Sequence, residues 1–113
     1  MPGIDDAIEM TSADQFAAWL VANGPIEREV WVAIYKKASG KQVVGFDPLL
    51  ETALCHGWVD VQTKGIDAER YGIRFVPRRP GSNWSVTNRA IVKRLLAEGR
   101  MAETGKSLLP PDL

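Results

Sequence analysis

Arg78 and Arg79 stand side by side in the run Arg78-Arg79-Pro80-Gly81-Ser82-Asn83-Trp84-Ser85, directly before a predicted helix start. Guanidinium groups offer paired, fork-shaped donors that match phosphate or carboxylate oxygens. Free amides at a helix N-terminus also attract anions. Gly81 allows the backbone to come close, and Ser82, Asn83 and Ser85 add small polar contacts. Trp84 offers a face for stacking or for a cation. The chemistry expected here is recognition of an anionic group. Arg74, Arg78 and Arg79 would hold the anion, and Asn83 and Asn88 would fix its orientation. Asp60 would orient an arginine or accept from a ligand amine. A structural reading of the same residues stays open: Ser85 as a helix cap, Trp84 as core, and Asp60 paired with Arg74, Arg78 or Arg79.

Other chemistries find less support. Cys55 and His56 are adjacent on a predicted helix, so their side chains diverge by ~100° and lack a third orienting group. Cys55 reads as a small buried apolar residue. His56 reads as a helix-end residue whose cationic form suits the dipole. One His and one Cys do not make a zinc shell, so no metal and no cofactor is expected. Glu51 and Asp60 are the only plausible carboxylate pair, and no spacing brings them together. No glycine-rich phosphate loop occurs, and no catalytic motif is found.

Charge supports a binding surface. The chain of 113 residues has zero formal net charge, yet residues 1–60 carry nine acids and four bases, and residues 61–113 five acids and ten bases. Arg70 to Ala97 holds seven bases and no acid. Such asymmetry suits an anionic partner, or two halves that neutralise each other across the fold. Interleaved bases and Trp84 also suit a nucleic-acid surface, the alternative function. The near-neutral pI and the thin basic face of Arg89 and Lys93 weigh against it.

The elements that would position these residues follow from periodicity. Ser12-Ala13-Asp14-Gln15 has the form of a capping box, with Phe16, Trp19 and Leu20 at helical spacing behind it. Asn23-Gly24-Pro25 ends that helix, with Gly tolerating a left-handed cap. Residues 1–10 read as a tail. Val30 to Lys37 alternates as a strand, and Gln42 to Phe46 is a second, short strand candidate. Asp47-Pro48 caps and opens a helix lined by Leu50 and Leu54 and stopped by Gly57. Trp58 to Gln62 and Tyr71 to Pro77 are strands joined by a loop over 63–70. Period 2 then gathers Asp60, Gln62, Arg70 and Arg74 on one polar sheet face. Ser85 caps a third helix near 86–98 whose stripe is Ile91, Val92, Leu95 and Leu96, and Ala102 to Leu109 adds a short one. The expectation is one α+β domain over 1–113, with an antiparallel sheet of about three strands and three main helices.

Glu51 to Asp60, Tyr71, Arg74-Phe75-Val76-Pro77-Arg78-Arg79-Pro80-Gly81-Ser82-Asn83-Trp84-Ser85, Asn88, and Leu95 to Met101 together resemble the YdeI/OmpD-associated (bacteriocin-protection) family. The combined Gly-Trp-Val-Asp and Arg-Phe-x-Pro-Arg-Arg-x-x-Ser-Asn-Trp-Ser elements carry the resemblance over roughly half of the chain. It implies a role in tolerance of bacteriocins or antimicrobial peptides and no known reaction. The chain departs from the family pattern at His56, which replaces an aromatic residue, and at Val61, which replaces a common glycine. Many relatives also continue beyond the position of Leu113 into a second conserved segment.

The acidic start Met1 to Asp6 lacks the apolar run of a secretory signal, and no apolar stretch approaches a membrane span. A cytoplasmic bacterial protein is expected, and a lone cysteine requires no oxidising compartment.

Overall fold

Ser12 starts the first helix by accepting the Gln15 amide at 3.2 Å. The capping box is displaced by one residue, because Gln15 Oε1 accepts the Thr11 amide and not that of Ser12. In the computed structural model, which describes residues 6–41 and 44–113, this helix is α1, Ala13–Asn23. Gly24 ends it with right-handed values, φ −53 and ψ −38, so no left-handed cap forms.

The chain is an α+β fold with a four-stranded mixed sheet in the order β1-β2-β4-β3. The strands are β1 (Ile8–Glu9), β2 (Val30–Tyr35), β3 (Trp58–Gly65) and β4 (Arg70–Pro77). The segment read as a tail therefore supplies an edge strand, parallel to β2 through Ile8 opposite Val32. Two residues are too short to show a period, which is why alternation missed them. The expected loop over 63–70 is also shorter than supposed. β3 runs on to Gly65, paired to Tyr71 of β4, and leaves a tight connection closed by Asp67 on the amides of Glu69 and Arg70.

The helices after α1 are α2 (Phe46–Cys55), α3 (Val86–Ala97) and α4 (Glu103–Lys106). The strand expected over Gln42–Phe46 is not supported at its end: Phe46 opens α2, while Gln42 and Val43 lie outside the described residues. Gly45 occupies the cap position expected of Asp47, which lies in the first turn, where a carboxylate still favours the dipole.

α2 lies between two cores. Leu49 and Ala53 face a cluster with Phe16 and Leu20 of α1, Val32 and Ile34 of β2, and Ile73 and Phe75 of β4. Leu50 and Leu54 face a second cluster with Val92 and Leu95 of α3 and Met101. Each fully buried apolar side chain of this size contributes about 1.5–3 kcal/mol. Phe16 and Phe75 meet with ring centroids 4.8 Å apart. Glu51 of α2 accepts from Arg94 of α3 at 2.9 Å and from Arg100 at 3.0 Å, clamping the two helices together. Glu51 is thus engaged by cations and is not paired with Asp60.

Gly57 joins α2 to β3 at φ +81, and a Cβ there would sit 2.9 Å from the Thr104 carbonyl oxygen of α4 and 2.8 Å from Leu108 Cδ1. That position requires glycine both for its backbone and for the approach of the chain after α4. Among the described residues no helix is long and apolar enough to cross a membrane.

Candidate functional site

The site is built by the end of β4 and the turn after it. β4 runs out at Pro77, and the Arg78 amide donates to the Gly57 carbonyl at 2.8 Å, which ties the arginine turn to the start of β3. Gly81 has φ +75 and open space around its α-carbon. It therefore serves the turn and not the close backbone approach expected of it. Ser85 caps α3, accepting the Asn88 amide at 3.0 Å, as its structural reading required.

Arg78 is held on three sides by its own turn. Its Nη2 donates to Ser82 Oγ at 3.1 Å and to the Asn83 carbonyl at 2.6 Å. Its guanidinium lies over the Trp84 ring, 3.8 Å from the centroid. Trp84 packs in turn on the second core. Among the described residues no carboxylate pairs with Arg78, and its Nε is buried without a hydrogen-bond partner. Burial alone holds its guanidinium below the ordinary value, with no anion to offset it.

An open cleft of about 700 Å³ adjoins this turn. Its cationic lining is Arg28 from the loop before β2, Arg74 from β4, and Arg78 and Arg79 from the turn, with Val61 and Val76 as apolar walls. Among the described residues no acid belongs to the lining. Arg74 donates from Nε to Glu29 Oε1 at 2.6 Å, and Glu29 is largely buried with 12% of its side chain exposed. Arg79 and Arg28 form no ion pair among the described residues. Arg28 reaches only the Glu27 carbonyl, at 3.2 Å. Of the basic half of the chain, Arg74, Arg94 and Arg100 find acids from the other half, at Glu29 and Glu51. Neutralisation across the fold is therefore partial, and part of the uncompensated charge, that of Arg78 and Arg79, lies at this cleft.

The structure redistributes the residues expected to act together. Arg74, Arg78 and Arg79 line the cleft. Ser82, Asn83 and Trp84 hold Arg78, and Ser85 caps a helix. Asn88 and Asp60 lie outside the lining.

The pairing of Asp60 with Arg74, Arg78 or Arg79 is corrected: among the described residues Asp60 makes no ion pair. A β-bulge between Asp60 and Gln62 is the cause. Asp60 stands opposite Phe75, whereas Gln62 stands opposite Arg74. The extra residue, Val61, breaks the strict alternation that had placed both on one face. Arg74 takes Glu29 instead.

Arg28 and Glu29 were missed. Their signal was weak but present, since Glu29 precedes β2 by one residue and shares a face with Trp31, which pairs with Arg74.

Cys55 is buried, and burial pushes its thiol up, against use as a nucleophile. Burial pushes the His56 imidazole down, so the expected cation at the helix end is a neutral ring near pH 7. No group of three or more metal-ligating side chains occurs among the described residues.

Neither the curated proteins nor the solved structures contain a match to the chain. The model of the family described as "Domain of unknown function (DUF8412)" matches residues 8–108, nearly the whole chain, and the protein belongs to that family.

Proposed function

We propose that the protein binds an anionic group, carried by a small molecule, a peptide or a partner protein, in the cleft between Arg28, Arg74, Arg78 and Arg79. One observation carries this reading. Among the described residues, three guanidinium groups without carboxylate partners converge with a fourth on a lining that holds no acid. Like charges so placed repel one another, and the half-buried Arg78 guanidinium also loses hydration. A bound anion removes both costs. Arg78 is pre-ordered by Ser82, Asn83 and Trp84, so little side-chain entropy remains to be lost on binding.

The resemblance to the YdeI/OmpD-associated family supports a role for this binding in tolerance of bacteriocins or antimicrobial peptides, in the cytoplasm. The nucleic-acid reading loses its stacking platform, because the Trp84 face carries Arg78. Binding in a cleft is therefore preferred to binding along an open strand.

Inorganic phosphate or acetate should raise the melting temperature of the wild-type protein by mass action. The gain should vanish in Arg79→Ala, while the melting temperature without ligand stays unchanged. No gain with any anion, or a gain retained in the variant, contradicts the proposal. A steep loss of affinity with salt for single-stranded oligonucleotides would favour the nucleic-acid reading instead.

A further inference from the structure

A second concavity differs in character from the arginine cleft, which it meets only at Pro77. It encloses about 420 Å³ between α1, the α2–β3 junction and α4, with Leu20, Pro25, Trp58 and Leu108 as apolar walls. Its size falls in the range of small-molecule sites. Among the described residues its one charged lining residue is Glu103, which is exposed and paired to Lys106 at 3.5 Å.

Two polar groups border this apolar space with no hydrogen-bond partner among the described residues. One is the imidazole of His56, half-buried and held neutral by burial. The other is the indole N–H of Trp58, a residue only 3% exposed. The Trp58 ring is fixed edge-on by Trp19, with centroids 5.7 Å apart and planes at 87°. Gly24 lines the same cavity, and a Cβ built on it would lie 3.5 Å from Trp58 Nε1, which places that nitrogen at the Gly24 edge of the space. An indole N–H is a donor only, and Trp58 Nε1 meets the cavity at the Gly24 edge with no acceptor among the described residues. The missing complement is an acceptor oxygen on an otherwise apolar body. With no lysine or arginine in the lining among the described residues, and with the exposed Glu103 beside it, that oxygen belongs to an uncharged group and not to a carboxylate.

We propose that this cavity binds an uncharged apolar small molecule whose carbonyl or ether oxygen accepts from Trp58 Nε1–H, with the His56 ring as a second polar contact.

The test compares acetophenone with ethylbenzene, which has nearly the same shape and no oxygen. Both are titrated into the full chain labelled with nitrogen-15, and the indole N–H resonances are followed. Acetophenone should shift the Trp58 indole proton saturably and bind about fivefold more tightly than ethylbenzene, the value of one neutral hydrogen bond. In Trp58→Phe that preference should disappear while ethylbenzene still binds. Equal affinity for the two probes in the wild-type protein overturns the proposal. So does a Trp58 resonance that stays unmoved up to the solubility of acetophenone, an observation that needs no variant to fold.

Discussion

Arg78 lies over Trp84 at 3.8 Å from the ring centroid, and Trp84 rests on the α2–α3 core. A cation that lines the cleft is thereby braced by the hydrophobic core. Removing it should have a structural consequence as well as a binding one. Arg78→Ala strips the Trp84 face and the bonds to Ser82 and Asn83, and is expected to cost about 1–3 kcal/mol in urea unfolding. Arg78→Lys should recover little of this, because an ammonium cannot stack flat and donate as the fork does. Full recovery by lysine would show that charge alone matters at this position.

Glu29 restrains the charge of the cleft through Arg74, at 2.6 Å. Glu29→Gln should lower stability by about 1–3 kcal/mol, since a half-buried arginine keeps an acceptor but loses its neutralising charge. The same change should tighten phosphate binding several-fold, because the cleft loses the negative charge that offsets Arg74. Titration calorimetry and chemical unfolding on one variant would separate the two effects. Weaker phosphate binding in Glu29→Gln would contradict this role.

Asp60 has no ion-pair partner among the described residues. Asp60→Asn should shift stability by no more than about 0.5 kcal/mol, the usual range for sites away from special features. A loss of several kcal/mol on unfolding would mean that the residue pairs with an arginine after all.

His56 carries a pH signature. Its folded value is pushed below the ordinary 6.5 by burial, so the unfolded chain binds its proton first. Its contribution to stability is complete above pH 6.5 and is lost as pH falls from there through the lower folded value. Between pH 7.5 and 6 the wild-type protein should lose stability that His56→Leu retains. Parallel pH profiles for the two proteins would refute the assignment.

Much of the architecture was legible because it rests on local chemistry. Ser12 and Ser85 announce their helices by the amides they cap, and Val30 to Tyr35 announces a strand by its composition. The turn from Arg78 to Ser85 was legible as an arginine-bearing loop, although Ser85 proved a cap and Asn83 a brace. What escaped depends on residues distant in sequence coming together. A bulge at Val61 has no composition signal, yet it turns Asp60 away from Arg74. The arrival of Arg28 beside Arg79 depends on the register of β2 with β4, and alternation within one strand cannot fix how two strands align.

An anion in the arginine cleft should be held by Arg28 and Arg79 together. Isothermal titration of inorganic pyrophosphate into the wild-type protein and into an Arg28→Ala/Arg79→Ala double variant tests it most directly. Both residues are exposed and lack ion-pair partners among the described residues, so the variant should melt as the wild type does. Saturable binding in the wild-type protein, weakened in the variant by about 1.5–3 kcal/mol for each guanidinium removed, is the predicted result. Equal heats in the two proteins, or no heat in either, would contradict the account.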